Sequence, residues 1–105
     1  MHIKALRYKL PTTVGEVADL LIDDLPLRER TKLARMEPDK LIRINESLGP
    51  DIIEEFKLFT GNFILLDDCT KFAIKKNLKQ KDPSLAIIYR LWEKLKKTHR
   101  LRLVK

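Results

Sequence analysis

The longest helical pattern in this chain runs from Leu41 into the sixties. Apolar residues fall at Leu41, Ile44, Leu48, Ile52, Phe56 and Phe59, in steps of three and four, and Ile53 widens the stripe. Arg43, Glu46, Asp51, Glu54, Glu55 and Lys57 occupy the remaining sides. The stripe passes through Gly49-Pro50, and a proline inside a helix removes one hydrogen bond and crowds the carbonyl four residues back. Two readings follow: one kinked helix from about Pro38 to Phe59, or two helices, with Gly49 closing the first and Pro50 opening the second. A break or sharp kink is favoured, because Asp51, Glu54 and Glu55 would then sit at a helix start, where the dipole favours negative charge. Next, Gly61-Asn62 reads as a helix stop and an N-cap, starting a short helix from Phe63 to about Cys69.

The other segments follow the same rules. Thr13-x-x-Glu16 is a capping-box pattern, and Val14, Val17, Ala18, Leu21 and Leu25 make one apolar face behind it. Leu25-Pro26 ends that helix. The next one exposes Arg28, Glu29, Arg30, Lys32 and Arg35 and turns Leu27, Leu33, Ala34 and Met36 inward. Pro38-Asp39 opens the central stretch. Residues 70–82 are open between a helix, with Lys71, Lys75 and Lys79 in one stripe and Phe72 and Leu78 buried, and a solvated loop. Asp82-Pro83 is an N-cap followed by a first-turn proline. The helix it starts runs to about Thr98, with Leu85, Ile88, Leu91, Trp92 and Leu95 apolar and Glu93–Lys97 an i,i+4 pair. Residues 2–10 fit neither period, and Leu101–Val104 alternates like a strand, so the first ten and last seven or so residues are candidates for extended ends, which could pair as a two-stranded ribbon if packed on helices. The expectation is one all-α domain over residues 1–105, a compact bundle of five or six short helices.

Length and composition narrow the classes further. At 105 residues a core can form without disulfide or metal. No apolar run approaches the ~20 residues of a membrane span, and the N-terminus lacks the apolar core of a signal peptide. The single Cys69 has no internal partner. A cytoplasmic protein with no membrane association is expected. The net charge of +7 hides a strong asymmetry: residues 36–70 sum to −5 and residues 71–105 to +10.

Candidate chemistry is sparse. His2 and His99 lie near the ends, far in sequence from Cys69. No zinc-ligand spacing and no glycine-rich phosphate loop occurs. The acidic pairs Asp23/Asp24, Glu54/Glu55 and Asp67/Asp68 are adjacent residues, which on a helix point about 100° apart. The expectation is a non-enzyme with no catalytic residue, cofactor or metal. The asymmetry offers a basic patch, Lys71, Lys75, Lys76, Lys79, Lys81, Arg90, Lys94 and Lys97, that would suit nucleic-acid phosphates, with Tyr89 and Trp92 placed among these cations for stacking. Trp92, however, lies on the apolar face and belongs to the core. No nucleic-acid reader motif accompanies the lysines. A protein-interaction module, engaging another chain or itself through complementary charge, is the leading reading, with nucleic-acid binding by the basic third as the alternative.

Leu-Pro-Thr-Thr at residues 10–13, Leu48-Gly49 with Ile52 and Phe56, Leu58, Gly61-Asn62, Leu66, Cys69, Asp82-Pro83, Ala86, Ile88 and Leu91-Trp92-Glu93-Lys94-Leu95 together resemble a small bacterial domain family of unknown function. The resemblance spans about residues 11–97. Pro50 and a longer basic spacer at Lys71–Lys81 depart from its pattern. It implies a compact, mostly helical, bacterial cytoplasmic protein, and it carries no catalytic residues to transfer. It also implies that Trp92 and Phe56 share one core, with Trp92 against the Ile52–Phe56 face.

Overall fold

The capping box forms as its spacing requires. The Thr13 hydroxyl accepts the Glu16 N–H at 3.1 Å, and the Glu16 carboxylate accepts the Thr12 and Thr13 N–H groups at 3.2 Å each. The Thr12 N–H above all, then the Thr13 hydroxyl, hold the Glu16 carboxyl below its usual pKa. These contacts open helix α1, Val14–Asp24, which buries Val14, Val17, Ala18 and Leu21. A second carboxylate arrives from a distant helix: Asp68 Oδ2 accepts the Val14 N–H at 2.7 Å. Negative charge at a helix start is favourable, so Asp68 docks its own helix onto α1.

The computed structural model describes residues 10–79 and 82–104, with side chains as far as Thr98. The reading of residues 2–9, and with it the N-terminal half of any ribbon, lies outside that description. The described residues form five α-helices and one 3-10 turn and contain no strand, as expected for an all-α bundle. After the Leu25-Pro26 corner comes α2, Leu27–Ala34, which buries Leu33 and Ala34. Leu27 is not turned inward as expected: it is 57% exposed, because it lies about 120° around the helix from Leu33.

A 3-10 turn at Pro38–Lys40 leads into α3, Leu41–Glu55. This helix runs unbroken through Pro50, so the expected stop at Gly49 and restart at Pro50 do not occur. Interior proline costs ~3 kcal/mol. Continuing the helix keeps Leu48, Ile52 and Phe56 in the core, each worth about 1.5–3 kcal/mol, and that sum wins. Pro50 and Glu46 both face solvent, so the carbonyl that loses its donor is accessible to water.

Gly49 has a different task. It is buried against the start of the last helix, α5, Pro83–Val104. A Cβ on Gly49 would stand 2.5 Å from Asn45 Oδ1 and 2.9 Å from Ser84 Oγ. Those atoms belong to one polar cluster. Asn45 Nδ2 donates to Asp82 Oδ2 at 2.9 Å, and the Ser84 hydroxyl lies 2.5 Å from Asn45 Oδ1 and 2.8 Å from Asp82 Oδ1. Asp82 Oδ1 also accepts the Ser84 N–H at 3.1 Å, which makes Asp82 the expected cap of α5.

The stop signal of α3 lies elsewhere too. Lys57, at φ 55°, takes the left-handed position. Leu58 N–H bonds the Ile53 carbonyl at 3.0 Å and Lys57 N–H that of Glu54 at 3.3 Å, the paired bonds of a Schellman ending. Phe59 therefore falls beyond the helix and is 58% exposed, not in the stripe. Gly61, at φ 144°, closes the following turn. Asn62 caps α4, Phe63–Lys75, as expected, accepting the Leu65 N–H at 3.4 Å. Its buried amide also donates to the carbonyls of Pro11 and Phe56, at 2.9 and 3.1 Å. One side chain thus joins the N-terminal segment, the end of α3 and the start of α4. Rather than ending near Cys69, α4 continues to Lys75 and closes with a second Schellman ending at Asn77, φ 54°, which returns Leu78 toward the core.

Helix α5 packs on α1, α2, α3 and α4. Ala86, Ile87, Ile88 and Leu91 are fully buried. Trp92 shares this core with Ile52 and Phe56; its Nε1 donates to the Met36 carbonyl at 2.9 Å and its ring lies 5.4 Å from that of Tyr89. Leu101–Val104, expected to be extended, are the last residues of α5.

Gly49→Ala should therefore destabilise the fold by ~1–3 kcal/mol in urea melts, because overpacking exceeds the ~1 kcal/mol that alanine gains over glycine in a helix. In a Ser84→Ala background the penalty should shrink, and additivity of the two changes would count against a steric cause.

Candidate interaction surface

Four consecutive apolar residues, Phe63-Ile64-Leu65-Leu66, open α4. A helix with one buried side cannot hide all four. Leu65 is buried with Cys69 and Ala73, Leu66 is half-buried, and Phe63 and Ile64 face solvent at 67% and 69% exposure. Ile74 rejoins them three turns on at 59%. Phe63, Ile64, Asp67, Thr70, Lys71 and Ile74 fall within an arc of about 120°, all of them exposed. Within that arc Lys71 Nζ pairs with Asp67 Oδ2 at 3.0 Å. The hydrogen bond from Asp67, then its charge, raise the Lys71 pKa. Both groups are well exposed, so the pair contributes little to stability. The outer face of α4 is thus an apolar stripe with one acid and one base at its middle, and exposed Phe59 stands at the preceding corner.

The fold ties four members of the candidate basic patch, Lys71, Lys76, Arg90 and Lys94, into ion pairs. Lys94 Nζ reaches Asp19 at 2.6 Å and the Gly15 carbonyl at 3.1 Å, tying α5 to α1. Lys76 and Arg90 both pair with Glu93, at 2.9 and 3.3 Å; Glu93 uses these partners rather than Lys97. Lys71 is held by Asp67. Lys75, Lys79 and Lys97 are exposed, Lys79 lies past the end of α4 and off its stripe, and Lys81 lies outside the described residues. Tyr89 is half-buried between the rings of Phe72 and Trp92, and Trp92 is covered, so neither presents an open ring face for stacking. A tighter cationic arc lies on α2. Arg28, Lys32 and Arg35 are exposed within about 60° of one another, and with Leu27 and Thr31 they line an open depression of about 640 Å³.

Two small pockets, each partly open to solvent, lie beside the core. One cavity of about 60 Å³ lies among Ile22, Leu27, Arg30, Thr31, Ala34, Leu95 and Thr98. Another of about 70 Å³ lies between Leu25, Leu33, Ile44 and Leu48. Pockets for small molecules are several times larger. Among the described residues no group of three His, Cys, Asp or Glu side chains is placed to hold a metal ion, and no helix is long and apolar enough to cross a membrane. Cys69 is fully buried. Burial first, and then the charges of Asp68 and Asp82, push its thiol up to about 12, so it stays a protonated core group rather than a nucleophile. Asp68 is no member of a carboxylate pair; it caps α1.

No family model, curated protein or solved structure matches this chain.

The Cys69 environment is testable. A thiol reagent at pH 8 should label native protein ~100-fold or more slowly than urea-unfolded protein. Because the native thiol is raised from 9.0 to about 12, its contribution to stability is complete below pH 9 and is lost as pH climbs toward 12, where the unfolded chain ionises first. Cys69→Ala should flatten that alkaline decline in denaturant melts.

Proposed function

We propose that this protein is a non-enzymatic protein-interaction module whose working surface is the outer face of α4. The observation that carries the reading is the exposure of Phe63, Ile64 and Ile74 on one side of a helix whose other side is fully packed. Large apolar side chains grouped along one face mark contact sites more often than scattered ones do. The bacterial, cytoplasmic setting belongs to the same reading and rests on the landmarks from Leu48-Gly49 to Leu91-Trp92 noted in the sequence.

A second reading is binding of nucleic-acid phosphates, moved from the C-terminal third to α2. It is favoured by Arg28, Lys32 and Arg35, which share one exposed arc and have no acidic partner among the described residues.

Two experiments separate these. A photo-crosslinking amino acid at position 63, introduced in the source cells, should yield discrete protein adducts that Ile74→Ser removes. The same group at position 28 should yield none of those adducts. The Phe63→Ser/Ile74→Ser double variant should melt within about 1 kcal/mol of the parent, since both side chains are exposed. Position 63 labelling no more than position 28 would sink the interaction reading. For the second reading, labelled duplex should bind with a log–log salt slope near −3, about 0.9 per phosphate for three cations. Arg28→Glu/Arg35→Glu should flatten that slope by ~2, and absence of binding at low salt would retire it.

A further inference from the structure

We infer that the occupant of the α4 face is a second copy of this chain, docked antiparallel about a two-fold axis that crosses the face at the level of residue 69. The inference rests on the interaction reading above and adds the partner to it.

The argument is one of self-complementarity. A two-fold interface requires that if residue i meets residue j, then j also meets i. Along the exposed arc of α4 the chemistry runs apolar at Ile64, acid at Asp67, base at Lys71 and apolar at Ile74. Read backwards, as an antiparallel copy presents it, the order is apolar, base, acid, apolar. The two orders match at these four positions. Ile64 of one copy meets Ile74 of the other, Asp67 meets Lys71, and both contacts repeat across the axis. In the same register Phe63 falls opposite Lys75, a favourable cation–aromatic pairing.

The spacing is consistent with that register. Residue numbers in each pair average 69, so a single axis serves all of them, and a rise of about 1.5 Å per residue gives the two copies the same span between their apolar ends. The Asp67–Lys71 pair is already formed within one copy at 3.0 Å. Pairing therefore places two acids and two bases in one alternating ring, in which each has an opposite neighbour. A parallel arrangement would set Asp67 on Asp67 and Lys71 on Lys71. The face is short and carries only three large apolar groups per copy, which places it among small interfaces and gives a dimer that forms at ~10–100 µM.

Sedimentation velocity on the purified full chain from ~10 µM to ~1 mM tests this, with circular dichroism reporting the fold of each variant. The parent should pass from monomer to dimer across the series. Asp67→Lys and Lys71→Asp each create like-charge contacts twice over, and each should raise the midpoint at least ~10-fold. Mixed in equal amounts, these two variants should associate as well as the parent does, because every contact between them is again opposite in sign. A parent that stays monomeric throughout overturns the proposal, and so does a mixture no stronger than its components. If the parent is monomeric while crosslinks from position 63 persist, the self-pairing fails and the interaction reading stands. If those crosslinks are absent as well, both fail.

Discussion

Everything in this fold is hung on the seating of α5. Its first turn can lie against α3 only because position 49 has no side chain, which leaves room for the hydroxyl of Ser84 and the amide of Asn45. Once seated there, α5 presents Ala86, Ile87, Ile88 and Leu91 to surrounding helices, and all four are fully buried. The polar contacts further along are consequences of that placement. Trp92 reaches the Met36 carbonyl at the end of α2, Glu93 collects Lys76 from beyond α4, and Lys94 clamps α1 at Asp19 and Gly15. Polar groups beside so buried a helix are stable where they find partners, as Asn45, Ser84 and Trp92 do.

What the sequence made legible was local. The Thr13–Glu16 box, the Asn62 cap and the Asp82-Pro83 start each involve residues within four positions of one another, and each forms. The apolar face of α1 also reads directly, because one helical stripe meets one core. The reading failed where distant packing decided a local choice. Gly49-Pro50 has the grammar of a break, yet burial on both sides of it outweighs the proline penalty. Lys57 closes α3 although glycine stands four residues later, since Leu58 must turn back into the core there and Gly61 is needed for a separate turn. The tail Leu101–Val104 alternates over too few residues to overrule the helix that already approaches it.

Charge, too, has to be read in space. Summing residues 71–105 to +10 treats every cation as available. In space, acids of the middle segment and of α1 meet two of them, Asp67 taking Lys71 and Asp19 taking Lys94, and Glu93 of the same segment holds two more. Among the described residues, Arg28, Lys32 and Arg35 share one compact arc without such partners, in a short segment whose net charge is only +3 because of Glu29. Electrostatic footprints are properties of faces, and a face collects residues that a running sum separates.

The α4 surface was partly readable, in the run Phe63-Ile64-Leu65-Leu66, which contains more apolar side chains than one helix side can bury. What the run could not disclose is which of the four stay outside. That depends on Asn62, whose buried amide fixes the rotation of α4 through Pro11 and Phe56, and on Asp68, whose bond to Val14 fixes the opposite flank. With both anchors set, Leu65, Cys69 and Ala73 must point inward, and Phe63, Ile64 and Ile74 must point out. The charges between them then matter twice. Asp67 and Lys71 interrupt the stripe, limiting the continuous apolar area that would otherwise favour indiscriminate sticking. They also give the face a direction, since an acid on one side of its centre and a base on the other distinguish antiparallel from parallel contact. An apolar stripe alone supplies adhesion without register; this pair supplies the register.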